Sequence, residues 1–259
     1  MPQRVAKTIG NRGPAEGQFN RPAGVAIDND KDIVTADSNN NRLQITTIDG
    51  IVKKILKFTK FRKPFIPIAI AIAKDNTYYS LDDGNKQVVV SNKKGRVIKR
   101  FGQNELKDPY GIAISPLTKN VYVTDKGDNC VRIYKPNGQY LKSLGSQGSS
   151  QEQFSWPRGI TVAGNGVVFI TDYRNSRIQV YTASDQYLYS FDYRSGDGMQ
   201  QCPMGIASDN TYLYISDNQS IQKFDLSGRV ICRIDCDEDR MNSPAGLTLT
   251  DDDPCKVVA

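Results

Sequence analysis

Six times along this chain a proline is followed two residues later by a small residue and then by alternating apolar positions. The pairs are Pro22 with Gly24, Pro67 with Ala69, Pro109 with Gly111, Pro157 with Gly159, Pro203 with Gly205 and Pro244 with Gly246. The intervals between these prolines are 45, 42, 48, 46 and 41 residues. A unit of that size, filled with short β-branched runs instead of helical spacing, is what one blade of a propeller requires. The period therefore predicts an all-β chain, a single domain over residues 1–259, folded as a six-bladed β-propeller.

Four strands are legible in a repeat from period-two alternation and the turn residues between them. In the fourth repeat they cover residues 159–163, 167–171, 177–181 and 187–191, named a to d in chain order. The third repeats the plan, with Pro136, Asn137 and Gly138 turning strand c into d. No stretch carries a convincing amphipathic helical pattern.

The b-to-c turn adds a second signature: Asp37, Asn40, Arg42 and Gln44 in the first repeat, Asp172, Asn175, Arg177 and Gln179 in the fourth. Phe19 and Phe154 stand three residues before Pro22 and Pro157. With these two motifs in register over residues 3–259, the chain resembles NHL-repeat propellers, most of all the C-terminal NHL domain of TRIM-NHL (tripartite motif) proteins. It departs from the pattern at Ala69, at Gln87 and Cys130 in the arginine position, and in the shortened turn from Asp217 to Ser220. The resemblance implies a ring sealed by N- and C-terminal strands in one blade. Residues 4–9 would then supply strand d beside strand a at 246–250 and strand b at 255–259, leaving the closing blade incomplete.

Composition removes whole classes of chemistry. There is no histidine, which excludes Ser-His-Asp and Cys-His mechanisms and His-ligated zinc; no catalytic residue, metal site or cofactor is expected. Five cysteines at irregular spacing and a first ten residues without an apolar core suit a reducing, cytoplasmic location over a secreted one. The longest apolar run, residues 66–73, is interrupted by Pro67, so no membrane-spanning segment is expected. Thirty-four basic against 28 acidic residues leave a net charge of +6, which favours an anionic partner. Residues 51–107 hold fourteen basic and four acidic side chains, while Asp235, Asp237, Glu238, Asp239 and Asp251 to Asp253 reverse the sign near the end.

Antiparallel strands a to d put the d-to-a and b-to-c connections on one face of the disc. The candidate ligand-binding residues there are Arg21, Asn39, Tyr110, Lys126, Trp156, Arg158, Tyr173, Arg174 and Asn218. Aromatic, guanidinium and amide groups in a ring suit stacking on and hydrogen bonding to single-stranded bases. In TRIM-NHL relatives that bind RNA this is the face used. The recurring Asp37, Asp82, Asp125, Asp172 and Asp217 are expected to cap their own turns, and Arg42 and Arg177 to stack or pair between blades. Lys93 and Lys94, on the opposite face, read as solvated charge.

Three functions compete. The first is an RNA-binding module of the kind used in mRNA repression. The second is a protein-interaction domain presenting substrates for a RING-type E3 ubiquitin ligase, the parent chain adding RING, B-box and coiled coil. The third and weakest is a calcium-dependent propeller hydrolase, which needs carboxylates clustered around the channel.

Overall fold

The computed structural model describes residues 8–194, 201–234, 244–250 and 256–259. Five four-stranded antiparallel sheets follow one another in chain order. Their inner strands are Pro22–Ile27, Pro67–Ile72, Pro109–Ile114, Pro157–Val162 and Ile206–Ser208. A two-stranded sheet, Thr248–Leu249 against Val257–Val258, stands for the sixth repeat. The six blades expected from the six prolines are thus corrected to five complete blades and a two-stranded sixth among the described residues. Of the strand expected at 4–9, residues 4–7 lie outside the described residues. Thr8 and Ile9 are not in a strand, and Ile9 lies beside Gly50 of blade one.

The repeated small residue marks where adjacent inner strands touch. A Cβ added at Gly159 would lie 2.3 Å from the carbonyl oxygen of Met204 in the next blade, and one at Gly246 would lie 2.7 Å from that of Ala23. The second contact joins the last repeat to the first, so the inner strands close on themselves. Hydroxyls of strand b, or in blade one of the residue just after it, reinforce the joints. Ser38 Oγ donates to Pro67 O, Thr124 Oγ1 to Arg158 O, Thr171 Oγ1 to Met204 O and Ser216 Oγ to Pro244 O, at 2.5 to 3.0 Å.

The core lies between blades. Val34, Leu43 and Ile45 of blade one pack with Phe65, Tyr78 and Val89 of blade two, and similar clusters fill each following joint. Strands b and c are buried almost throughout, whereas outer strands either alternate, as Val97–Phe101 and Tyr187–Asp192 do, or are largely exposed, as Tyr140–Leu144 and Val230–Arg233 are. Burial of each such Val, Leu or Phe is worth about 1.5–3 kcal/mol, so the repeats stabilise one another and not themselves.

The strand-ending aspartates are structural, but their partners differ from expectation. Asp37, Asp82 and Asp172 accept the backbone N–H of Asn20, Ile66 and Ser155, residues of the incoming d-to-a loop. Asp125 accepts those of Lys107 and Asp108 as well as Gly127 in its own turn. Asp217 alone of the five follows the expected pattern fully, accepting from Gln219 and Ser220. Arg42 and Arg177 likewise do not stack between blades. Each pairs with the aspartate of its own hairpin, at 2.7 and 2.8 Å, and donates to carbonyls of the incoming loop. Aspartate and arginine therefore clamp each loop onto its blade, which fixes the loop tips on the face above.

Candidate functional site

Three features of the repeat deliver side chains to that face. The residue after the repeat proline gives Tyr110 and Arg158, and the residue before it gives Trp156. The b-to-c turn gives Lys126 after strand Val121–Asp125, and Tyr173 and Arg174 in a 3-10 turn, Tyr173–Asn175. Because blades three and four are neighbours, these tips meet.

They meet as an alternating ladder. The Arg158 guanidinium lies 3.5 Å from the ring centre of Tyr173 and 5.1 Å from that of Tyr110. Lys126 Nζ stands 6.0 Å from Tyr110 and 5.8 Å from Trp156, and the Arg174 guanidinium covers Trp156 at 3.5 Å. The order is Tyr173, Arg158, Tyr110, Lys126, Trp156, Arg174. Each cation–π contact contributes about 0.5–2 kcal/mol, more where water is excluded. The contacts orient the cations without neutralising them.

Trp156 is held under strain. Its φ is +57°, a conformation costing a bulky residue roughly 1–2 kcal/mol, and one disfavoured before a proline. Its N–H donates to Asn129 Oδ1 of blade three at 2.9 Å. Asn129 is itself left-handed at φ +51°, a conformation Asn tolerates. Sequence reasoning missed Asn129; the signal available was an amide residue where blade four has Ser176 at the left-handed end of its turn.

The electrostatics are uneven. Lys126 pairs with Asp108 at 2.9 Å, whereas the buried Arg158 Nε has no hydrogen-bond partner. Burial pushes the Tyr110 hydroxyl above its ordinary value, with the charges of Arg158 and Arg21 pulling the other way. Tyr110 thus stays a protonated donor at neutral pH. Six of the nine candidates come together in the ladder. Arg21, exposed at φ +54°, reaches it only through its charge on Tyr110. Asn39 bonds to Asn20 within blade one, and Asn218 stands exposed on the blade-five turn; neither joins the ladder.

The opposite face corrects another expectation. Lys93 is not simply solvated: its Nζ sits 2.7, 2.6 and 2.9 Å from carboxylate oxygens of Asp28, Asp30 and Asp32. Asp28 also accepts from the Tyr78 hydroxyl at 2.6 Å. Burial works to raise the Asp28 carboxyl, but the bonds from Lys93 and Tyr78 outweigh it and hold the group below its usual range. These three carboxylates are close enough to hold a metal ion, but the chain's own ammonium occupies the centre. The central channel, about 540 Å³, is lined mainly by Val25, Ile70, Ile112, Ile160 and their strand neighbours, with Asp209 as its one carboxylate among the described residues.

A family model described as NHL repeat matches residues 19–45 and 154–181, the stretches carrying both sequence motifs of blades one and four. The chain is an NHL-repeat β-propeller. Protein brain tumor of Drosophila melanogaster is 28% identical over 143 residues, covering 53% of this chain and 14% of that protein. The B-box type zinc finger protein ncl-1 of Caenorhabditis elegans is 28% identical over 122 residues, 46% of this chain and 14% of its own length. Both are TRIM-NHL proteins, which bears out the resemblance. Peptidyl-glycine alpha-amidating monooxygenase B of Xenopus laevis, named as an enzyme, is 27% identical over 154 residues, 54% of this propeller and 18% of that protein. The matched stretches thus span under a fifth of the length of these relatives. Among solved structures, a streptogramin B lyase superposes with a TM-score of 0.69 at 15% identity, covering 92% of this chain and 75% of the other. A chain of a nidogen/laminin complex gives 0.70 at 17%, covering 91% and 87%. At these identities the likeness establishes the fold alone. No described helix of the propeller is long and apolar enough to cross a membrane.

Proposed function

We propose that this NHL propeller is a non-catalytic binding module that takes single-stranded RNA on the face carrying the d-to-a and b-to-c loops. The observation behind this reading is the ladder, in which three aromatic rings alternate with three cations. Bases have π faces that stack on rings, and phosphates need cations at intervals; a surface offering both in alternation is complementary to a single strand. Arg158 fits this best, since two rings fix its guanidinium while no carboxylate among the described residues pairs with it.

The lysine-filled carboxylate triad, and a channel with Asp209 as its one carboxylate among the described residues, support a non-catalytic role. We place the propeller within a longer cytoplasmic chain carrying RING, B-box and coiled-coil segments. That is supported by the small share of the TRIM-NHL relatives that it covers and by the free thiols of Cys130, Cys202 and Cys232.

The test is a filter-binding salt titration against a random RNA pool. Phosphate contacts impose a steep fall of affinity with salt, by about 0.7 per neutralised phosphate on a double-logarithmic plot for single strands. Absence of RNA binding at every salt, with ladder variants disrupting a protein complex instead, would transfer the face to a protein partner.

A further inference from the structure

The ladder uses little of the positive charge concentrated in residues 51–107. Much of the rest lies in the connection from the outer strand of blade one, Val52–Leu56, to the inner strand of blade two, Pro67–Ile72. Lys57, Lys60, Arg62 and Lys63 are all exposed there. No acid lies between residues 57 and 66, and none of these four cations pairs with a carboxylate among the described residues. Four like charges so close in sequence repel one another, so this display is maintained against its own electrostatics.

The loop is held rigidly enough to sustain it. Phe58 and Phe65 are buried and meet edge to face at 4.8 Å, with Phe61 6.3 and 6.1 Å from them. Arg100 covers Phe61 at 5.1 Å. Asn85, on the b-to-c turn of blade two, accepts the N–H of Lys63 at 3.0 Å and donates to its carbonyl at 3.1 Å. The aromatic side chains therefore point into the protein while the cations point out.

The loop is also physically continuous with the ladder. Asn85 is followed by Lys86, whose Nζ lies 3.7 Å from Asp108. Asp108 pairs with Lys126 at 2.9 Å, and Lys126 belongs to the ladder. One face thus carries a stacking region over blades three and four and, next to it over blade two, a region with charge and no exposed stacking partner.

We infer that residues 57–63 form a second contact for the same RNA, a track that binds the sugar-phosphate backbone of nucleotides beyond those stacked on the ladder. This rests on the RNA reading of the ladder. The track reads charge and not sequence, because lysine and arginine ends without fixed acceptor geometry can meet any phosphate. It lengthens the site and raises its salt dependence.

The experiment compares Lys57→Gln, Lys60→Gln, Arg62→Gln and Lys63→Gln combined with the unaltered propeller and with Tyr173→Ala. Oligouridylates of about 5 and about 20 nucleotides serve as probes, near and beyond the ~4–16 nucleotides a single-strand groove commonly covers. The quadruple variant should bind the short probe as the unaltered protein does. On the long probe its log-log salt slope should be shallower by about 2 to 3, four phosphates at ~0.7 each. Tyr173→Ala should weaken both probes. An unchanged thermal melt keeps loss of folding out of the comparison, since the substituted side chains are exposed. Unchanged long-probe binding by the quadruple variant, or equal loss on both probes, overturns the track and leaves the ladder standing. Unchanged short-probe binding by Tyr173→Ala sinks the ladder reading itself. An unaltered propeller that binds neither probe ends both and directs the basic loop to an acidic protein.

Discussion

Arg158 and Lys93 are both partly buried cations on turn-bearing faces of the same ring, yet their surroundings are opposite. Lys93 meets three carboxylates within 3 Å; Arg158 meets two tyrosine rings and has a buried nitrogen without an acceptor. Carboxylates satisfy a cation's charge and its donors together, leaving little for an incoming anion. Aromatic faces attract the cation through their quadrupole but carry no formal negative charge, so the guanidinium charge is not neutralised. Availability, more than net charge, separates a binding cation from a structural one.

The strongest way to test that contrast is at a guanidinium that does have its carboxylate. Asp172→Ala removes the acceptor of the Arg177 side chain and of the Ser155 N–H. Breaking a buried pair on one side costs about 3–5 kcal/mol, and urea unfolding should register a loss of that size. A change below about 1 kcal/mol would mean that the clamp contributes little to the blade.

Next in size is the ladder. Tyr173→Ala should weaken RNA binding by about 5- to 150-fold, the equivalent of the 1–3 kcal/mol that one stacked base is worth. Its stability to urea should fall by no more than the about 0.5–2 kcal/mol of its contact with Arg158, because a turn-tip side chain contributes little to a core. Loss of binding together with loss of folding would remove the distinction between tip and core.

Lys93→Met sharpens the other half of the comparison and should leave RNA binding unchanged. Its effect is on pH dependence. In the unaltered propeller the Asp28 carboxyl is held low, so its contribution to stability is fully present above the ordinary carboxylate value. That contribution is lost as pH falls through the lower folded value. Without the ammonium, burial and two neighbouring carboxylates would raise Asp28 instead, and acidification from neutral pH should then stabilise the variant. Over pH 7 down to about 4 the site should leave the urea midpoint of the unaltered propeller level while that of the variant rises relative to it; parallel curves would count against the cage. Smallest of all, Lys94→Gln on the exposed neighbour should shift both stability and RNA affinity by no more than about 0.5 kcal/mol, measurable as coincident melting and binding curves.

The repeat prolines, their small partners and the Asp-Asn-Arg turns were legible because each answers a local backbone demand. The inner strand begins at the proline in four blades, and strand c of blade four, Arg177–Tyr181, has the expected limits. The partners of Asp37 and Arg42 were not legible, since the loop they clamp lies some 17 to 28 residues earlier in the chain. The face was likewise legible from strand order, but its internal arrangement was not: Asn218 and Tyr173 occupy comparable turns, and of the two only Tyr173 has a cation over it, Arg158 of the same blade, which in turn reaches Tyr110 across the joint.

The sequence by itself determined the ring. A blade-sized period with a small residue at each inner-strand contact leaves stacked blades as the way to bury so many β-branched side chains. Tertiary structure alone decided which charges are spoken for. Arg158 and Tyr110 lie a repeat apart, as Lys93 and Asp28 lie on neighbouring blades, and the interaction of each pair depends on a few ångströms of separation. Such separations are set by how blades dock, because electrostatic attraction between side chains follows distance through space and is indifferent to distance along the chain.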